Sequence, residues 1–250
     1  MKARHAITQA ATVLLLRPRT RKAEGFEVFL TRRPPEMAFL GGTYCFPGGA
    51  LRKDDCSVAM TERCYGLSAT LAQKILGAHF SPQVALGLWI AGIRELFEEV
   101  GVLLAVRKAG KPWLVKRNNK ASLGERRSAL LQDKLSFRSV LESEDLLCDA
   151  SKLIYFSHWQ TPGHLAIRYD THFFLAVLPE GQLPLPTSPE VAHSLWLTPD
   201  RALKLFADDR LPIIFPTFTS LRTLADFASL GSVLREFAAA THLSGKEGFV

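Results

Sequence analysis

Interleaved strands and helices, the pattern of a mixed α/β domain, are what this sequence predicts. Three observations carry that reading. Short apolar and β-branched runs, such as ATVLLL and FEVFLTRR, recur between helical stretches. The stretch SPQVALGLWIAGIRELFEEVG has helix-start residues, Ser81 and Pro82, and a stop residue, Gly101. A hydrophobic content of 47% with 22% charged residues of both signs supplies a core and excludes global disorder. The 250 residues suit one domain, 1–250, with an insertion and a helical tail.

Each element follows from its local signals. ITQAATVLLLRP reads as a strand, RTRKAEG as a basic polar hairpin, and FEVFLTRR as the second strand. The pairs Gly41-Gly42 and Gly48-Gly49 flank a short strand, TYCFP, and predict a tight, shaped ligand loop. From Lys53 to Pro82 the apolar residues Val58, Met60, Cys64, Leu67, Leu71 and Ile75 approximate a helical repeat, interrupted at Gly66 and Gly77. After the long helix, VLLAV reads as a strand, and GERRSALLQDKL and FRSVLESEDLL as two short helices. SKLIYFSHW, IRYDTHFFLAVLP and HSLWLT read as strands, and PDRALKLFADD as a helix with Pro199 near its start. Two tail helices, about 217–241, are expected to break at Gly231.

The net charge of +7 and pI near 9.4 favour anionic partners, phosphorylated metabolites among them. The basic residues form no continuous tract and no aromatic-basic stacking surface, which argues against nucleic acid as the partner. Cys45, Cys56, Cys64 and Cys148 have neither CxxC nor zinc-finger spacing. With no leader signal and no run of membrane-spanning length, the expected setting is a reducing, cytoplasmic one without membrane contact. A homo-oligomer is left open.

The chemistry concentrates in Gly92–Val102, GIRELFEEVGV. Glu95 and Glu99 are four apart and share a helical face, and Glu98 adjoins it. Such a pair destabilises a bare helix by about 0.2–0.5 kcal/mol. These glutamates also sit near the helix C-terminus, where the dipole disfavours anions. Both penalties vanish if divalent cations, which take hard oxygen ligands, bind there. Trp89, Ile93, Leu96 and Val100 form an apolar stripe that would fix the carboxylate directions. A solvated face with one ordinary salt bridge is the plainer alternative.

Arg94, Glu95, Leu96, Glu98, Glu99, Gly101 and Val102 resemble the second half of the nudix box. The upstream glycine of that pattern corresponds to Gly49, and six residues on lies Asp55 where the family has glutamate. From Asp55 to Arg94 there are 38 intervening residues where the family has seven, an insertion of 31. A surface insertion of this kind costs little closure entropy, and a helical segment at about 56–82 would hold it beside the site. FPGGALRKDD and HWQTPGHLAIRYDTHFFLAVLP extend the resemblance to an insertion-containing nudix subgroup. That subgroup includes a peroxisomal coenzyme A diphosphatase of animals.

The resemblance implies a nudix-type α/β/α sandwich with a mixed central sheet. It implies a hydrolase, using Mg²⁺ or Mn²⁺, that cleaves the phosphoanhydride of a nucleoside diphosphate linked to another moiety. Coenzyme A and acyl-coenzyme A are candidate substrates, with ADP-ribose and NADH as alternatives. Glu95, Glu99, Glu98 and the Gly49 backbone are the implied metal ligands, and Arg94 joins the three glutamates as catalytic machinery. Asp55 and Gly101 support the motif. Arg32, Arg33 and Arg168, with the Gly48 backbone, are phosphate-binding candidates, since guanidinium offers phosphate a bidentate fork. Trp159, His158 and His172 could meet a base or a pantetheine chain, and one of Phe173 and Phe174 is expected in the core. A silent ligand-binding module, an RNA-processing enzyme and a structural interaction domain are the competing classes.

Overall fold

The structure is a computed structural model and describes residues 7–19, 25–115, 117–185 and 188–244. Residues 20–24 of the expected hairpin, and the C-terminal GKEGFV, lie outside the described residues.

β1 (Thr8–Pro18) and β2 (Phe26–Arg32) pair antiparallel, and β3 (Tyr44–Cys45) and β4 (Gly48–Ala50) add to β2 and β1 respectively. An insertion follows: a 3-10 turn at Asp54–Cys56, then α1 (Val58–Thr61), β5 (Cys64–Tyr65) and α2 (Ala69–Leu76). Next come the long α3 (Pro82–Val100), β6 (Ala105–Arg107), α4 (Arg117–Leu131), α5 (Phe137–Ser143) and β7 (Leu146–Asp149). β8 (Ile154–Gln160), β9 (Tyr169–Val177), β10 (His193–Leu197), α6 (Pro199–Ala207), α7 (Phe215–Ala225) and α8 (Leu230–Ser244) complete the order.

The central sheet runs β10-β2-β1-β9-β8. It is mixed, because β1 and β9 are parallel while its other pairs are antiparallel. Alternation along β1 builds two cores. Ala11, Val13 and Leu15 face the layer of α3, whereas Leu14 and Leu16 face the layer holding Ala202, Leu221 and Val233 of α6–α8. The expected α/β/α sandwich with a mixed sheet is therefore what forms. Phe173 and Phe174 are both buried, one in each core.

α3 positions the site. The Ser81 side chain accepts from the Val84 N–H, Pro82 sits in the first turn, and Gly101 closes the helix at φ 71°. All residues from Ala85 to Val100 are buried. The helix is thus enclosed on all sides, between the sheet and a second cover made by the insertion and α4. Met60, Ala72 and Leu76 of the insertion belong to the same core cluster as α3, so the insertion is docked on it.

Four local expectations differ. The insertion is only partly helical, because Cys64–Tyr65 pairs with β7 in a separate three-stranded sheet, β5-β7-β6. Only Ala105 and Val106 of the expected VLLAV strand are extended in that sheet, where β6 continues to Arg107. FRSVLESEDLL is helical only to Ser143; Asp145 turns the chain at φ 51° and Leu146 begins β7. Gly231 lies inside α8, and the tail breaks between Ala225 and Leu230 instead, with the tail helices beginning at Phe215.

Candidate active site

The charged residues of α3 are not solvated. Arg94 is 2% exposed, Glu95 7%, and Glu98 and Glu99 5% each. Burial of four charges is tolerable only if they are paired and hydrogen-bonded, and Arg94 does most of the pairing. Its Nε and Nη2 donate to the two Asp55 oxygens at 2.9 Å each, and Nη2 also donates to the Ala50 carbonyl at 2.9 Å. Its Nη1 donates to Glu95 at 2.6 Å and to Glu98 at 3.0 Å. Burial alone would lower the Arg94 pKa. The Asp55 hydrogen bond and the charges of Glu95, Asp55 and Glu98 more than offset this and hold it above its ordinary value. Asp55 also accepts from the Arg52 N–H at 2.8 Å, which fixes the turn that carries it. The geometry therefore joins Asp55 to Arg94 although they lie 39 positions apart in the chain.

Glu98 is enclosed by two guanidiniums. Arg52 forms a bidentate pair with it at 2.7 and 2.9 Å, and Arg94 adds the third bond. Both carboxylate oxygens of Glu98 are thus engaged, although the Arg52 side chain is 52% exposed and free to leave on the solvent side.

Glu95 and Glu99 differ from Glu98. Burial raises the Glu95 pKa; Arg94 opposes the rise and the Glu98 charge reinforces it. Glu99 is raised well above the ordinary range by burial first, then by Glu95 and Glu190. Arg33 and the Gly48 N–H, which donates to Glu99, only partly compensate. Among the described residues Glu99 has no ion-pair partner. β4, which carries Gly48-Gly49 as a strand and not the loop the sequence predicts, lies directly against this pair. A Cβ on Gly49 would sit 2.6 Å from Glu95 Oε1, and one on Gly48 would sit 2.5 Å from the Ala11 carbonyl. Close approach to the β1 backbone requires glycine at Gly48, whereas at Gly49 an added atom would meet only the movable carboxylate end of Glu95. Two buried, under-neutralised carboxylates beside exposed-capable backbone form a hard oxygen donor set, which fits a divalent cation.

Arg127 caps the helix from behind. Its Nε and Nη2 donate to the Glu98 and Glu99 carbonyls at 3.1 and 2.8 Å, acceptors that the helix C-terminus leaves short of partners. Neither Arg127 nor Arg52 carried a sequence signal, because each reaches α3 from a segment distant in the chain.

The phosphate-binding candidates divide. Arg32 Nε donates to the Gly42 carbonyl at 3.0 Å and Arg33 Nε to the Phe39 carbonyl at 3.1 Å, so both are tied to the loop before β3. The Arg33 charge also acts on Glu99. No contact among the described residues links Arg168 or Trp159 to the carboxylates. Arg168 Nε donates to the Thr161 carbonyl at 3.4 Å, and Trp159 packs edge-on to Phe215 at 5.5 Å, in the core opposite α3.

The profile of the family described as NUDT19 Nudix domain matches residues 2–224. The human acyl-coenzyme A diphosphatase NUDT19 is 29% identical over 90% of this chain and 67% of its own length. The protein of that name from Gallus gallus is 28% identical over 89% of this chain and 67% of its own. The chain thus spans about two thirds of each relative's length. The crystal structure of a NUDIX hydrolase from Alicyclobacillus acidocaldarius superposes with TM-score 0.71 at 25% identity, covering 93% of this chain and 97% of that one. With a nudix-type sandwich, a box joined across its insertion by the Asp55–Arg94 pair, and a family match over most of its length, the chain belongs to the NUDT19 Nudix domain family.

Proposed function

We propose that the chain is a pyrophosphohydrolase of coenzyme A or acyl-coenzyme A, active with a divalent cation held by Glu95 and Glu99. The observation that carries the reading is this pair of buried carboxylates, short of positive charge and set against the Gly48-Gly49 backbone. A bound divalent cation would neutralise diphosphate charge and lower the pKa of water. Mg²⁺ and Mn²⁺ both suit these oxygen donors.

The other roles belong to the chain. Arg94 orients Glu95 and locks Asp55, Glu98 and the Ala50 backbone into one network. Glu98 becomes a further ligand or proton acceptor when Arg52 swings into solvent. Arg32 and Arg33, tethered through Nε to loop carbonyls, present guanidinium edges to the phosphates. The reaction adds water across the P–O–P bridge, giving 4′-phosphopantetheine, or its acyl form, and 3′,5′-ADP. The substrate class is supported by the names of the two animal relatives. The four free cysteines support a reducing interior as the setting. Among the described residues no helix is long and apolar enough to cross a membrane.

Product analysis by mass spectrometry tests this reading. The panel is coenzyme A, acyl-coenzyme A, ADP-ribose, NADH, diadenosine polyphosphates and capped RNA, each with Mg²⁺ or Mn²⁺ and with chelator. Chelator-sensitive release of 3′,5′-ADP from coenzyme A species is expected. AMP and ribose 5-phosphate from ADP-ribose, with coenzyme A intact, would overturn the substrate assignment.

A further inference from the structure

A second group of metal-ligating side chains lies outside the box. Asp170 and His172 are two apart on β9 and so project from the same face. His158 on β8 stands directly opposite His172 in the antiparallel register. The two imidazoles stack with centroids 4.7 Å apart, and His158 Nε2 makes a hydrogen bond to Asp170 Oδ1. One potential ligand atom from each of the three lies within 4.8 Å of the others.

Among the described residues, two buried polar atoms here lack partners. His172 is 2% exposed, yet its Nε2 has no hydrogen-bond partner; its Nδ1 lies 3.4 Å from the Tyr155 hydroxyl. A neutral imidazole that donates from Nδ1 to Tyr155 leaves a bare lone pair on Nε2, the form that binds metal. Gln9 stands beside Asp170 in the β1–β9 register, and its Nε2 donates to Asp170 Oδ2 at 2.9 Å while its Oε1 has no partner. The oxygen of Asp170 that would not ligate is therefore already held, as outer-shell groups hold ligating carboxylates. A buried polar atom left unsatisfied is destabilising, so an unpartnered His172 Nε2 beside two further donors needs an explanation.

We infer that His158, Asp170 and His172 form a second metal site, for a first-row transition ion such as Zn²⁺. Two imidazoles and one carboxylate suit Zn²⁺ and disfavour Mg²⁺. Three protein ligands also leave a coordination position open to solvent on the side of His158, whose side chain is 44% exposed. Bonds of about 2.0–2.1 Å around a tetrahedral ion bring ligand atoms to about 3.3 Å apart. His158 closes that gap by turning its exposed ring out of the stack, and the ion replaces the proton it shares with Asp170. Through the sheet the site adjoins the box: His172 pairs in register with Ala11, and Ala11 with Gly49. Two strand spacings, about 10 Å, separate those backbones. The site is independent of the box in its ligands and in the metals it selects.

The test is calorimetric titration of the chelator-stripped full chain with Zn²⁺ in excess Mg²⁺, which saturates the hard carboxylate site. Visible absorption on Co²⁺ addition then reports nitrogen ligation. One tight Zn²⁺ equivalent is expected, retained in Glu99→Gln. It should weaken more than 100-fold in His158→Ala, and about 10–100-fold in Gln9→Ala, the range for an outer-shell change. His158 is exposed enough for its variant to keep the fold, which a thermal melt checks. No Zn²⁺ binding, or binding unchanged in folded His158→Ala, would overturn the site. Loss of Zn²⁺ binding in Glu99→Gln alone would assign the ion to the box instead.

Discussion

Replacing Arg94 by glutamine is the perturbation whose size the structure fixes best. Arg94 makes four charge-assisted bonds, two to Asp55 and one each to Glu95 and Glu98, plus one to the Ala50 carbonyl. At about 1.5–3 kcal/mol for each charged bond the sum would be roughly 6–12 kcal/mol. That overstates the loss, because removing a buried guanidinium also returns its desolvation cost, several kcal/mol. The expected net destabilisation is about 3–5 kcal/mol, the range for breaking one side of a buried charge pair. For a domain of this size that lowers Tm by about 6–20 °C. Asp55→Ala should cost less, since Arg94 keeps Glu95 and Glu98. The double variant should fall short of additivity by about 0.5–3 kcal/mol, because both remove one network. Thermal and urea melts of the four proteins decide it. An Arg94→Gln protein melting within about 2 °C of the parent, or strict additivity with Asp55→Ala, would refute Arg94 as the centre of the network.

Three further outcomes follow from the same geometry. Gly49→Ala meets only the movable end of Glu95, so the fold should persist while the Mg²⁺ requirement rises; Gly48→Ala meets the β1 backbone, so Tm itself should fall. Melts beside Mg²⁺ titrations of turnover separate the two, and equal effects from both would count against the assigned contacts. Arg52→Ala removes a half-exposed partner, so it should cost only about 1 kcal/mol while freeing Glu98 and lowering the Mg²⁺ needed for half-maximal turnover; a higher Mg²⁺ requirement would contradict this. Glu95 and Glu99 have raised pKa values in the metal-free fold, which therefore binds protons that the unfolded chain has released. Their contribution to stability is present below the ordinary carboxylate range and is lost as pH rises through the folded values. The gain in Tm from saturating Mg²⁺ should accordingly grow as pH rises above the ordinary carboxylate range, and a constant gain would argue that Mg²⁺ binds elsewhere.

The parts of this molecule that were legible in its sequence are those set by neighbours along the chain. Ser81, Pro82 and Gly101 mark α3 because capping depends on residues within one turn. The box reads from sequence because Arg94, Glu95, Glu98 and Glu99 lie on consecutive turns of one helix. The glycine pair at 48–49 is visible, but its reason, a backbone pressed against Glu95 and Ala11, is not. Arg52 and Arg127 were missed since arginines that reach the cluster over long separations look like surface charge until the fold brings them in. The end of the helix before Leu146 is not legible, because the turn at Asp145 uses a left-handed aspartate, without glycine to announce it. His158 and His172 were singled out, yet their opposition depends on a β-bulge between Tyr155 and Ser157 that shifts the register and has no sequence signature.

Glu99 is proposed to belong to a metal-dependent hydrolytic centre acting on coenzyme A or its acyl form. The most direct measurement is release of 3′,5′-ADP by the parent and by Glu99→Gln, with saturating Mg²⁺ and after chelation, each paired with a melting curve. Turnover should be abolished by chelator and restored by Mg²⁺. Glu99→Gln should lose more than about 100-fold, beyond the effect of an outer-shell change, with the fold retained. A folded Glu99→Gln protein that turns over coenzyme A at the parental rate, or parental turnover that persists in chelator, would contradict it.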